Sequence, residues 1–318
     1  MTRANSMSAK VSRYLTFRRG LGYRLKFEGR LLEQFGEFAD TAHHRGPLTV
    51  ELALRWAQSS KDCARLYCAR RLEVVRCFAR YLAVTEAGTE VPGRRLLGPA
   101  HRRTTPHIYT VMELSALMAA ARRLSPADGV RPHTYATLFG LLPCSGLRIS
   151  EALRLVQDDV DFGQGLLIVR ETKFRKTRLV PLHPTAVTAL QTYAETRSRI
   201  LKASRSDRFF LSDQGLGLPY STVNGVFRRL CESLEITGAP RQHPRLHDLR
   251  HTFACRRIEE WYVGGANLDH AISALSVYLG HAKVTDTYWY LTATPDLMAV
   301  AAKRFESFAS AETEEANA

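Results

Sequence analysis

The sequence predicts a mainly α-helical chain with one small β-hairpin, an α+β protein made of a helical amino-terminal domain and a larger mixed domain. Three observations predict it. Apolar residues recur at helical spacing through the basic stretch from Val11 to about Ala83. The pattern breaks into Pro, Gly and Arg between Thr89 and His107, and farther on two short Leu/Ile/Val runs flank a charged turn in otherwise helical surroundings.

In the amino-terminal stretch Leu25, Leu31, Leu32, Phe35 and Phe38 share a helical stripe, while Arg24, Lys26 and Arg30 fall on other faces. The run from Cys63 to Leu82 repeats the arrangement, with Leu66, Val74, Val75, Phe78, Tyr81 and Leu82 apolar and Arg65, Arg70, Arg71, Arg76 and Arg80 between them. Residues 1–95 are therefore expected to form a helical domain with a basic exterior. Residues 96–107, holding Gly98, Pro99, Arg102, Arg103 and Pro106, have linker composition. Thr110 with Glu113 signals a capping box, so a second domain over 108–310 opens with a helix to about Arg123. Further helices are expected at about 133–142, 149–156, 185–200 and 221–235, and from about 247 onward. Between them Leu166–Arg170 and Arg178–Leu182 form the hairpin, and residues 311–318, with Glu312, Glu314 and Glu315, are an acidic tail expected to be disordered.

A hydrophobic content of 45% over 318 residues suffices for one large core or two moderate ones and argues against a disordered chain. No stretch has the apolar length that spans a bilayer, and no basic stub precedes an apolar run near the start. The expectation is a soluble, cytoplasmic protein with no membrane partner. The formal charge is +14; residues 1–105 hold 20 Lys+Arg against 9 Asp+Glu, whereas residues 106–318 hold 25 against 22. That imbalance points to a polyanion partner gripped by the amino-terminal third, because neutralising phosphates releases condensed counterions. Charge alone does not separate DNA from RNA. The six cysteines, Cys63, Cys68, Cys77, Cys144, Cys231 and Cys255, lack the paired close spacings of a zinc site and are expected to be buried thiols.

Four places in the second domain present Arg, Lys or His at a helix end or turn. They are Arg148 in GLRISEALRL, Lys173, Arg175 and Lys176 in the hairpin turn, His247 and Arg250 in HDLRH, and His281 in LGH with Tyr288 and Tyr290 beyond it. Each alone has an ordinary explanation: a surface arginine at a helix end, a neighbour of a helix-ending glycine, a core aromatic. Their order and spacing together do not.

An arginine after Gly-Leu, a hairpin lysine, a His-x-x-Arg, an LGH and a tyrosine nine residues beyond that histidine make the chain similar to the tyrosine recombinases of the phage-integrase kind. The resemblance spans about 110–295, and the helical basic stretch before it matches that family's core-binding domain in size and place. It implies a helical core-binding domain followed by a tyrosine-recombinase catalytic domain, with Arg148, Lys173, His247, Arg250, His281 and Tyr290 catalytic. Breaking a phosphodiester adds negative charge to the phosphoryl oxygens in the transition state. Arginine keeps its proton and offers paired donors, which suits Arg148 and Arg250 to the two non-bridging oxygens, with His281 adding a third bond. A phenol titrates near pH 10, so Tyr290 needs help to attack. The resemblance assigns His247 as the base, Lys173 as the acid for the departing 5′ oxygen, and Glu151 as a residue that orients the others. The resulting 3′-phosphotyrosyl link stores the energy of the broken bond, so no ATP, metal or other cofactor is expected. The implied partner is double-stranded DNA, with self-association into a tetramer on it, accessory recombinases or DNA-bending proteins as further partners, and integration, excision or transposition of a mobile element as the outcome.

The turn reads ETKFRKTR, with Phe174 where many members have glycine, so a shifted hairpin would present Lys176 instead; TRLVPL aligned as the second strand favours Lys173. The spacing from His281 selects Tyr290 over Tyr288, which is then a packing residue. Two other readings stay open on the sequence: an inactive DNA-binding helper of the same fold, and relaxation alone in the manner of a type IB topoisomerase.

Overall fold

The computed structural model describes residues 6–60, 64–100, 104–170, 177–238, 243–281 and 283–292. The chain divides into two units, Met1–Thr104 and Thr105–Ala318.

Among its described residues the first unit forms four helices: α1 (Met7–Gly20), α2 (Lys26–Thr41), α3 (Val50–Gln58) and α4 (Arg65–Leu82). Ser6 Oγ accepts the Ala9 N–H at 3.2 Å, and the Asp40 carboxylate of α2 accepts those of Met7 and Ser8 at 2.8 and 3.1 Å. A side chain of the second helix thus satisfies donors that the first cannot satisfy itself. Gly36 permits the close approach of these two helices, since a Cβ there would lie 2.9 Å from Ser8 Cα. Phe35 is at the centre of the core, its ring edge-on to Trp56 at 5.3 Å and to Phe78 at 6.4 Å. Two residues depart from the expected stripe. Arg71 is buried rather than exterior because its guanidinium lies 4.1 Å over the Trp56 ring, a cation–π contact in place of an apolar one. Leu66 is exposed, along with the rest of the first turn of α4.

In the second unit α5 (Val111–Arg122) starts with both bonds of the capping box: Glu113 N–H to Thr110 Oγ1 at 3.1 Å and Thr110 N–H to Glu113 Oε2 at 2.7 Å. There follow α6 (Arg131–Ser145), α7 (Ile149–Ala152), β1 (Val160–Asp161), β2 (Leu166–Val169), β3 (Arg178–Pro181), α8 (Pro184–Ile200), α9 (Tyr220–Ser233), α10 (Leu246–Val263), α11 (Leu268–Leu279), α12 (Thr285–Tyr288) and a 3-10 turn at Trp289–Thr292. The fold is mainly helical with one small antiparallel sheet, as the sequence predicts, but the hairpin gains a third strand. The order is β1-β2-β3, with Leu167 opposite both Val160 and Val180. Two residues of β1 are too short a run to show alternation.

The helix expected over 149–156 stops at Ala152. Leu155 O accepts the Phe209 N–H at 2.7 Å, Val156 pairs with Arg208, and Gln157 N–H bonds to Asp207 O at 3.3 Å, so backbone groups that would continue the helix are taken by a distant segment. Of the cysteines, Cys231 and Cys255 are buried thiols as expected; Cys77 and Cys144 are exposed, and Cys68 is disulfide-bonded. The main core gathers Tyr135, Phe139, Tyr193, Phe209 and Phe227. A smaller cluster of Phe253, Ile258, Leu275, Leu279 and Tyr290 binds α10, α11 and the 3-10 turn together. The hairpin turn with Lys173 and Lys176, and the acidic tail, lie outside the described residues.

Candidate active site

Two glycines bring the charged residues together. Gly146 ends α6 at φ +63°, and a Cβ there would clash with Phe253 Cδ1 of α10. Gly280 ends α11 at φ +66°, where a Cβ would lie 3.0 Å from Arg178 Nη1 of β3. Both turns need the left-handed backbone that glycine adopts without strain, and both let a neighbouring element pass close by. Gly146→Ala is expected to destabilise the unit by about 2–4 kcal/mol, from backbone strain plus the clash with Phe253, read as a drop in the thermal midpoint.

Beyond Gly146, Arg148 opens α7. Its N–H donates to Glu151 Oε2 at 2.9 Å, and its Nη1 donates to Glu151 Oε1 at 2.8 Å. Arg178 grips the same carboxylate as a fork, Nη1 to Oε1 at 3.1 Å and Nη2 to Oε2 at 2.8 Å, and Arg250 Nη1 lies 3.9 Å from Oε2. Burial works to raise the Glu151 carboxyl, but the Arg178 fork and the two Arg148 bonds prevail and hold it at about 2. Glu151 is therefore a buried anion that orients three cations.

Arg250, on α10, is 1% exposed. Its Nη1 donates to Gly146 O at 2.8 Å and its Nη2 to Leu279 O at 2.7 Å, so the turns ended by the two glycines aim it. The same Nη2 lies 3.0 Å from His281 Nε2. A guanidinium only donates, so Nε2 is the acceptor and the ring proton is on Nδ1, which donates to Thr287 Oγ1 at 2.7 Å. His281 is thus neutral, in line with burial and Arg250 pulling it down to about 4.

Tyr290 is 3% exposed and its phenol lies beside the Arg250 guanidinium. Burial raises this phenol above its ordinary value against the pull of Arg250, so it is protonated at neutral pH. Tyr288, expected to be a packing residue, is instead 44% exposed: it ends α12 on the solvent side, while Tyr290 turns inward. His247, in the first turn of α10, keeps part of its side chain accessible; partial removal from water and the nearby Arg250 push it down to about 4.

The structure thus brings Arg148, Glu151, Arg250, His281 and Tyr290 into one cluster, with His247 at its edge. Lys173 lies outside the described residues. Sequence reasoning missed three members. Arg178 stands at the head of the strand TRLVPL and His251 inside the quoted HDLRH, so both lay within recognised motifs; Thr287 carried no signal. Among the described residues no group of three or more His, Cys, Asp or Glu side chains is placed to hold a metal ion, and no helix is long and apolar enough to cross a membrane.

Residues 108–296 match the phage integrase family, which is more than half of the chain. The chain belongs to the phage integrase family. It is 38% identical over 304 residues to y4rB of Sinorhizobium fredii, described as an integrase/recombinase, covering 93% of this chain and 96% of that one. It is 32% identical over 222 residues to the tyrosine recombinase XerD of Caulobacter vibrioides, covering 70% and 69%. Among solved structures its fold is similar to the Tn1549 transposon integrase in complex with transposon right end DNA, at a TM-score of 0.68, 17% identity and 96% and 99% coverage. The post-cleavage complex of XerH with a palindromic difH substrate gives 0.65, 16%, and 94% and 85%. The chain is accordingly a site-specific tyrosine recombinase.

Proposed function

We propose that this recombinase cleaves and rejoins double-stranded DNA through a 3′-phosphotyrosyl bond at Tyr290 and exchanges strands between two DNA sites, in the integration, excision or transposition of a mobile element. The observation that carries the reading is the convergence of Arg148, Arg250, His281 and Tyr290 from four separate segments, with Tyr290 beside the arginine that would hold the phosphate. A scissile phosphate entering here replaces His281 as an acceptor on Arg250 and sets the phosphorus beside the phenol oxygen. Arg148 and Arg250 then meet the charge that grows on the non-bridging oxygens. With an anion adjacent, His281 gains a proton more readily and turns from acceptor to donor. His247 is the base by resemblance, Lys173 the acid, and Glu151 holds the arginines in place.

The basic helices of residues 1–95 are proposed as the core-binding domain, joined through 96–107 to the catalytic domain. Exchange between two duplexes calls for two pairs of protomers, so a tetramer on DNA, with accessory recombinases or DNA-bending proteins, belongs to the same proposal. The test is covalent capture: the protein is mixed with randomised duplexes nicked near candidate cut sites, denatured in detergent, and the attached DNA and its peptide are sequenced. DNA bearing a peptide at Tyr290 is the expected result. Relaxation of any supercoiled plasmid without recombinants would favour the topoisomerase-like alternative, and binding without capture an inactive helper. In the same assay Arg148→Lys is expected to slow capture by roughly 10²–10³-fold, because a point charge replaces a planar fork of donors. Wild-type capture rates in that variant would remove Arg148 from the clamp.

A further inference from the structure

Arg178 stands at the head of β3, and the chemistry proposed above gives it no part. Its guanidinium is turned inward: Nη1 and Nη2 fork onto the two Glu151 oxygens at 3.1 and 2.8 Å, and Nε donates to Tyr278 O at 2.9 Å. The side chain is mostly buried and its paired donors are taken by Glu151, so an incoming phosphate meets Arg148 and Arg250 instead.

Three arginines grip successive carbonyls at the end of α11. Arg178 holds Tyr278 O, Arg250 holds Leu279 O at 2.7 Å, and Arg148 reaches Gly280 O at 3.4 Å; the next residue is His281. The same three guanidiniums surround Glu151, with nitrogens of Arg148, Arg178 and Arg250 at 2.8, 2.8 and 3.9 Å from its oxygens. Three cations against one buried anion leave this set a net charge of +2. Around it His247, His251 and His281 are held neutral and Tyr290 is protonated. Asp159 and Asp248 are paired with Arg170 and Arg245, and Asp286 is exposed to solvent.

A phosphodiester brings one negative charge, and its transition state takes on a second at the phosphoryl oxygens. A set at +2 matches that transition state. Without Arg178 the set falls to +1 and matches only the bound substrate, because Glu151 then draws on Arg148 and Arg250 alone. Resting on the reading that these two arginines clamp the phosphate for attack by Tyr290, we propose that Arg178 is a positioning residue for strand cleavage. It balances Glu151, so that Arg148 and Arg250 keep their charge for the transition state, and through Tyr278 O it fixes the turn that aims His281. The effect falls on the chemical step, since DNA binding is shared among many phosphate contacts.

The test is the capture rate on a nicked duplex for the full chain carrying Arg178→Gln, Arg178→Lys, or Arg178→Gln together with Glu151→Gln, with gel shift as the measure of binding. Arg178→Gln is expected to slow capture by roughly 30–100-fold, the effect of one unit charge near the phosphate, with binding within about threefold of wild type. Arg178→Lys keeps the charge, and the double change returns the net charge to +2, so both are expected to capture within about tenfold of wild type. Lysine is thus tolerated at 178 and not at 148, where the side chain meets the phosphate. Capture slowed less than about tenfold in Arg178→Gln overturns the proposal, as does a parallel loss of DNA binding. A merely structural role, lost in both glutamine variants, makes the double variant at least as slow as the single one, and that result overturns it too. Arg178→Lys keeps the ion pair with Glu151 and stays readable if a glutamine variant fails to fold; capture more than about tenfold below wild type there decides against Arg178. Adduct retained in Tyr290→Phe overturns the nucleophile reading itself, whatever Arg178 does.

Discussion

Tyr290→Phe is expected to lower detergent-resistant DNA attachment by on the order of 10⁴-fold or more while DNA binding stays within about twofold of wild type. The ring is 3% exposed and belongs to the cluster of Phe253, Leu275 and Leu279, and phenylalanine retains all of that packing. What disappears is one oxygen. Its loss leaves Arg250 with its bonds to Gly146 O, Leu279 O and His281, so the phosphate site survives. A phenyl ring has no atom with which to form the phosphorus–oxygen bond, so chemistry stops where binding does not. Gel shift and denaturing electrophoresis on one set of samples separate the two effects, and adduct at wild-type levels would remove Tyr290 as the nucleophile.

Glu151→Ala is expected to be the most destabilising single change in the site. The carboxylate side chain is 1% exposed and accepts from Arg178 at 3.1 and 2.8 Å and from Arg148 at 2.8 and 2.9 Å. Removing it leaves a cluster of cations with no counter-charge, a loss of about 3–5 kcal/mol, or roughly a 10 °C fall in the thermal midpoint of a unit this size. The same residue carries a pH signature. Its folded value is about 2 against an ordinary 4.5, so its contribution is complete above about pH 4.5 and is lost as pH falls through 2. That contribution amounts to about 3 kcal/mol. Denaturation across this range should show the wild type losing stability on acidification and Glu151→Gln losing less. Equal slopes would show that folding leaves the Glu151 carboxyl at its unfolded value.

The extent to which the site was legible follows from how each residue is positioned. Arg148, His247, Arg250 and His281 sit at fixed offsets from local signals: a Gly-Leu turn, a helix start, an LGH. Such offsets depend on backbone chemistry within one or two turns, so they can be read along the chain. The capping box at Thr110 was legible for the same reason. Glu151 was visible as a position one turn after Arg148, but its grip on Arg178 joins α7 to β3 across 27 residues. The early stop of α7 was not legible, because a distant segment supplies the backbone partners there, and the third strand was not, because two residues are too short a run to show alternation.

The sequence by itself determined the helical classes, the basic amino-terminal unit, the family and the identity of the candidate catalytic residues, since periodicity and motif spacing are properties of neighbours in the chain. Only the tertiary structure decided that Tyr290 turns inward while Tyr288 faces solvent, that His281 is a neutral acceptor toward Arg250, and that His251 keeps an unpaired nitrogen beside the phenol. Those are matters of protonation and orientation, set by burial and by contacts such as Arg178 to Tyr278 O across 100 residues and Arg250 to Gly146 O across 104. No spacing along the chain encodes them, because the field and the hydrogen-bond partners at a buried group exist only once the chain has closed around it.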